Sequence, residues 1–146
     1  MGTVVQLKNR INDTFSELKD SVDDKLALVE ERIKNKLASK VNLIEKMTEY
    51  HLSTGGKRLR ALLTLCSAKL CGYIKGGRDI NLAACIELIH AATLMHDDVI
   101  DNGKLRRGKK TLNSLWGNHS SILVGDYLLS RCFEMMVEDG NLEILK

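Results

Sequence analysis

An all-α fold is what this 146-residue chain predicts, on three observations: it contains no proline, only 4% of its residues are aromatic, and its apolar residues recur at helical spacing. Aromatic and β-branched residues favour sheets and proline breaks helices, whereas the abundant Leu, Ala, Lys and Glu fit helices with little loss of rotamer freedom. With 44% hydrophobic residues the chain can bury a real core, so residues 1–146 read as a single all-helical domain.

The N-terminal periodicity is the plainest. Leu7, Ile11, Phe15, Leu18, Val22, Leu26, Val29, Ile33 and Leu37 follow one another at steps of three or four, the repeat of one helix face. Ser21 with Asp24 forms a variant capping box that can restart a helix, so one long helix and two shorter ones both stay open. The stripe fits a coiled-coil seam, but a face docked on a core is the commoner use and the preferred reading. Val41 to about Leu52 makes the next helix. Ser53-Thr54-Gly55-Gly56 ends it, and Lys57-Arg58-Leu59-Arg60 opens another that runs through Leu70. Gly72 to Gly77 separates that helix from one carrying Leu82, Ile86, Ile89, Thr93 and Asp97. Residues 102–110 are polar and basic. Thr111 to about Val137 is helical again, with Gly117 as a point of interruption, and Asp139-Gly140-Asn141 opens a last turn.

Several function classes are set aside by composition. A net charge of +3 names no partner by itself. The sequence has no run of about eighteen uncharged apolar residues, hence no expected transmembrane segment, and its start lacks the apolar centre of a secretory signal. A cytoplasmic location is therefore expected. Met1-Gly2 is not a myristoylation site, because Gln6 stands where Ser or Thr is needed. Cys66, Cys71, Cys85 and Cys132 contain no Cys-x-x-Cys pair and are expected to behave as small buried apolar residues.

The chemistry gathers at His96-Asp97-Asp98-Val99-Ile100-Asp101, directly after an apolar run. Residues four apart share a helix face, so Asp97 and Asp101 lie about 6 Å apart along the axis while Asp98 turns roughly 100° aside. Asn102-Gly103 is a helix stop, which places these carboxylates at the negative end of the macrodipole, unfavourable by roughly 0.3 to 1 kcal/mol each. Aspartates often mark no more than a solvated helix end. Three in this position need a compensating cation or another reason to be there, and one or two carboxylates completed by water and substrate phosphates are the usual way to hold Mg²⁺.

Basic groups flank the aspartates. Gly55-Gly56-Lys57-Arg58-Leu59-Arg60 sets a flexible turn and three cations at a helix N-terminus, where exposed N–H groups, Lys57 and Arg60 suit a diphosphate. It is not a P-loop, since position 51 is His and Arg58 follows the lysine. Lys104, Arg106, Arg107, Lys109 and Lys110 form the second group. A nucleic-acid surface is disfavoured, because stacking aromatics are missing there and unmetallated aspartates would repel phosphates. His90 lies two turns before Asp97 on the same face, about 10 Å away.

These segments, together with Glu87 to Asp101, Arg106-Arg107-Gly108 and Leu123-Val124-Gly125-Asp126-Tyr127, closely resemble the trans-polyprenyl diphosphate synthases in order and spacing. The resemblance runs from about Leu43 to the C-terminus. It implies an antiparallel helix bundle of the isoprenoid synthase type and a homodimer. It also implies a Mg²⁺-dependent prenyltransferase that joins isopentenyl diphosphate to an allylic prenyl diphosphate. By the same transfer, Asp97, Asp98 and Asp101 are the first aspartate-rich motif, with Asp97 and Asp101 as metal ligands. Lys57, Arg60, His90 and Arg107 correspond to isopentenyl diphosphate contacts, and Arg106 to an allylic diphosphate contact. Ala92 and Thr93 stand where bulky aromatics close the product pocket, and small residues there imply a long product, octaprenyl by resemblance.

Two departures carry consequences. Ala61 stands where the family usually has Pro after the arginine, a change expected to alter the helix start and little else. No second Asp-Asp-x-x-Asp follows Asp101, so the 146 residues correspond to roughly the N-terminal half of a synthase and are expected to turn over poorly or not at all. Two rival readings stand beside this one. A non-catalytic helical partner subunit fits half a metal site, and a His-Asp phosphohydrolase is hinted at by His90 and His96-Asp97 but leaves the basic motifs unexplained.

Overall fold

The structure is a computed structural model that describes residues 13–73 and 75–145. Within it, α1 spans Asp23–Leu37, α2 Asn42–Ser53, α3 Leu59–Leu70, α4 Arg78–Ile100, α5 Leu112–Asp139 and α6 Leu142–Leu145, with two-residue strands β1 Leu105–Arg106 and β2 Lys109–Lys110 between α4 and α5. The all-α expectation holds. Residues 13–20 are helical ahead of α1, and the expected Leu7 and Ile11 lie outside the described residues.

The N-terminal stripe resolves into two helices. The chain turns at Ser21 and Val22, where Ser21 Oγ donates back to the Leu18 carbonyl at 2.8 Å; α1 has no side-chain cap, so the break is real but the capping box is not formed. Val29, Ile33 and Leu37 are buried against the core, as a docked face requires, while Leu18 and Leu28 stay exposed.

Helix α4 is central, packed against α5, α3 and α1. Its buried face alternates small and large residues, Ala83, Ala84, Leu88, Ala91, Ala92 and Met95, at the i, i+4 spacing that points them one way. Into it pack Val124, Leu128, Cys132 and Met135 of α5, Ala61, Leu62 and Leu65 of α3, and the α1 stripe. Each large side chain so buried contributes about 1.5–3 kcal/mol, which fixes α4 firmly and with it the residues on its outer face. Cys85 and Cys132 are buried as expected, Cys66 half so; Cys71 is exposed, a correction that follows from its place at the α3 C-cap.

The polar, basic residues 102–110 contain the β1–β2 hairpin, which pairs Leu105 with Lys110 and Arg106 with Lys109. Arg107 and Gly108 both have positive φ, 51° and 77°, the signature of a two-residue type I′ turn. Strands this short and polar show no alternation to read. The interruption at Gly117 is observed, with φ 82° and ψ 162° inside α5. Ile86 and Ile100 of α4 and Leu123, Phe133 and Val137 of α5 remain exposed. No helix among the described residues is long and apolar enough to cross a membrane.

Candidate functional site

Three segments build the site: the turn between α2 and α3, the outer face of α4, and the hairpin. Helix α2 ends at Ser53, and Gly55 turns the chain with φ 72°, a conformation glycine enters without cost. Gly56 lets Arg107 come close, since a Cβ there would come within 2.9 Å of Arg107 Nη1 and shift that guanidinium. Arg58 is left-handed at φ 46°, and its guanidinium leaves the turn to meet Glu30 through Nε at 2.5 Å and Nη2 at 3.2 Å, and Glu87 through Nη1 at 3.5 Å. Burial works against the Arg58 charge, but hydrogen bonds and attraction from Glu30 and Glu87 outweigh it and push the pKa up. Glu87 Oε1 also accepts the Ala61 N–H at 3.1 Å, so a buried carboxylate on α4 caps α3 from outside.

The hairpin is tied to both neighbours. Arg107 Nη1 donates to the Gly55 carbonyl, Lys109 Nζ to Ser53 O at 3.1 Å, and Tyr50 Oη to Lys110 O at 2.9 Å. Arg106 forks onto Asp98, with Nη2 2.8 Å and Nε 3.2 Å from Oδ1 and Nε 3.0 Å from Oδ2. Side chains opening α5 hold the connection from below: Asn113 Nδ2 donates to Asp98 O at 3.1 Å and Thr111 Oγ1 to Gly103 O at 2.7 Å.

A cleft of about 640 Å³ results, and Lys57, Arg60, His90, Arg106 and Arg107 all line it. That volume suits a small-molecule ligand. The five residues that the sequence marked as diphosphate contacts are thus brought to one place. Burial and then Arg60 push the His90 pKa down, and burial, Arg58 and Arg106 push that of His51, also in the cleft wall, down to about 4. Both imidazoles are neutral at pH 7 in a cavity ringed with cations, so the field there favours an anion.

Asp97, Asp98 and Asp101 end α4 beside this cleft, joined to it by the Arg106–Asp98 pair. Asp97 and Asp101 are exposed and their carboxylates have no hydrogen-bond or salt-bridge partner among the described residues, whereas the Asp98 carboxylate is committed to Arg106. Two unengaged carboxylates one turn apart are hard oxygen donors that fit a Mg²⁺ completing its shell from water and phosphate. Ala92 and Thr93 do not lie together: Ala92 is buried in the core, and Thr93 is exposed on the same face as Asp97, its hydroxyl donating to His90 O at 2.8 Å. Glu30, His51, Arg58 and Glu87 were not singled out by the sequence as site residues. For Glu87 there was a signal, an acid inside an apolar run at helical spacing from His90.

Comparison with known proteins agrees with this geometry. Residues 41–146 match the Polyprenyl synthetase family. The chain belongs to that family. It is 46% identical over 110 residues to the octaprenyl diphosphate synthase of Escherichia coli (strain K12), a match covering 75% of this chain and 34% of that protein. Among solved structures, a decaprenyl diphosphate synthase from Rhodobacter capsulatus superposes with TM-score 0.86 at 42% identity. A polyprenyl synthase from Caulobacter crescentus CB15, complexed with calcium and isoprenyl diphosphate, does so with TM-score 0.86 at 40% identity. Each structural match covers 90% of this chain and 40% of the other, so this polyprenyl synthetase chain spans well under half the length of its relatives.

The family's Gly125-Asp126 motif has a steric basis here. A Cβ at Gly125 would lie 2.4 Å from His96 Nε2, and the same nitrogen is 3.3 Å from Ile122 O and 3.4 Å from Asp126 Oδ1. His96 therefore turns its Nε2 toward α5 and Asp126 rather than toward Asp97, the aspartate with which the phosphohydrolase reading joined it.

Proposed function

We propose that this chain supplies the isopentenyl diphosphate cleft and the first metal site of a trans-prenyltransferase. Such an enzyme condenses isopentenyl diphosphate with an allylic prenyl diphosphate. The convergence of Lys57, Arg60, His90, Arg106 and Arg107 on one cleft beside Asp97 and Asp101 carries this reading. Lys57, Arg60 and Arg107 orient the isopentenyl diphosphate, and neutral His90 donates a hydrogen bond without charge repulsion from Arg60. Arg106, held by Asp98, faces the departing diphosphate. The allylic C–O bond breaks, the isopentenyl double bond attacks the allylic cation to form the new C–C bond, and a proton is lost as the product double bond forms; the protein acts mainly by charge and position. Mg²⁺ held by Asp97 and Asp101 would supply the charge that stabilises the leaving diphosphate. The calcium and isoprenyl diphosphate in the Caulobacter crescentus relative support a metal and diphosphate site of this kind.

A long product, octaprenyl by resemblance, is proposed on the small Thr93 on the aspartate face. The relatives themselves range from short-chain and geranylgeranyl synthases through heptaprenyl and octaprenyl to decaprenyl synthases. A cytoplasmic homodimer is part of the same proposal, supported by the exposed apolar side chains of α4 and α5. The alternative is a non-catalytic helical partner subunit of such a synthase. Titration of the chain with an allylic diphosphate analogue, with and without Mg²⁺, decides between the two. Metal-dependent binding that Asp97→Ala abolishes is expected, and binding indifferent to metal and to that substitution would favour the non-catalytic reading.

A further inference from the structure

We propose that Glu30, on α1, is a positioning residue for the diphosphate cleft: by pairing with Arg58 it holds the left-handed turn that aims Lys57 and Arg60 at one ligand. The proposal rests on the diphosphate reading above and extends it to a helix that contributes no side chain to the cleft itself.

Arg58 sits between two cleft cations and also lines the cleft, but its guanidinium is taken up by carboxylates. All three of its guanidinium nitrogens are engaged, two by Glu30 and one by Glu87. Its φ of 46° is one that a non-glycine residue keeps only where its surroundings over-determine it. Release to an ordinary right-handed φ is a rotation of about 100° at the residue joining Lys57 to α3, which would swing Lys57 away from Arg60. Glu30 is held in place by its neighbours, since Val29 and Ile33 are buried in the core. Its carboxylate has no other partner among the described residues than Arg58, so it is a dedicated anchor. Lys57 has a second grip, its Nζ lying 5.6 Å from the Phe15 ring centre.

Charge and position predict opposite signs. Removing a carboxylate near a site for anions strengthens anion binding if only the field matters. Removing an anchor weakens it. The test is calorimetric titration of inorganic pyrophosphate into the parent chain, Glu30→Gln, Arg58→Gly and the double variant at fixed ionic strength; glycine takes φ 46° without strain. Stoichiometry counts the folded molecules, so a loss of stability does not pass for a loss of affinity. The expected result is about tenfold weaker binding for Glu30→Gln with Arg58 present and no weakening in the Arg58→Gly background. Tighter or unchanged binding for Glu30→Gln, or equal weakening in both backgrounds, overturns the positioning role. A parent chain that fails to bind pyrophosphate overturns the diphosphate reading, and this proposal with it.

Discussion

Arg106 and Asp98 form a forked ion pair, with Nη2 2.8 Å and Nε 3.0 Å from the two carboxylate oxygens, and this one contact joins the acidic end of α4 to the basic hairpin. It also answers the dipole problem at the helix end, because the guanidinium compensates a carboxylate placed at the negative terminus. Lysine keeps the charge but lacks the planar fork. Arg106→Lys should therefore cost about 1 kcal/mol, allowing for a guanidinium one-third exposed, and should speed amide exchange across residues 105–110. Unchanged exchange would show that Arg107, Lys109 and Tyr50 hold the hairpin without Arg106.

Gly125→Ala tests the α4–α5 contact. A methyl 2.4 Å from His96 Nε2 must displace the ring or part the helices, at about 1–3 kcal/mol in urea unfolding. Adding His96→Ala should recover most of that loss, since the colliding ring is gone.

Ala61→Pro puts the residue usual in the family at this position. Proline would lower the entropy of the unfolded chain, by about 0.4–1 kcal/mol, but the Ala61 N–H is given to buried Glu87, and hydrogen bonds to charged groups contribute about 1.5–3 kcal/mol. A net loss of about 1 kcal/mol is expected from denaturation midpoints. The sequence reading placed the effect of this change at the helix start, which is where that hydrogen bond lies.

Stability should fall as the cleft is acidified. His51 takes up its proton near pH 6.5 in the unfolded chain and near 4 in the folded one, so between these values the unfolded state binds more protons. Stability therefore rises with pH across this window and is lost as pH drops from about 6.5 toward 4, by at most about 3 kcal/mol. His51→Gln should flatten the profile there. His90, shifted the same way, adds to the slope that remains. Pyrophosphate in the cleft would raise both pKa values and shift the loss to lower stability cost, visible as a reduced pH dependence of Tm.

The sequence by itself determined the helices, the order of the motifs and the charged residues that come to line the cleft. Val29, Ile33 and Leu37 announce a docked face by spacing alone, and Gly117 announces its own break, because local periodicity and backbone permissiveness are properties of neighbours in the chain. Only the tertiary structure decided which charges stay available. Arg58 reads like Lys57 and Arg60 on the page, yet it is turned to Glu30, 28 residues away, and Asp98 reads like Asp97 and Asp101 yet is taken by Arg106. The hairpin, the cap that Glu87 gives α3 and the His96–Gly125 contact are equally invisible along the chain. In each case the partner comes from another element, brought within hydrogen-bond or van der Waals reach by packing on α4, and no local pattern encodes that distance.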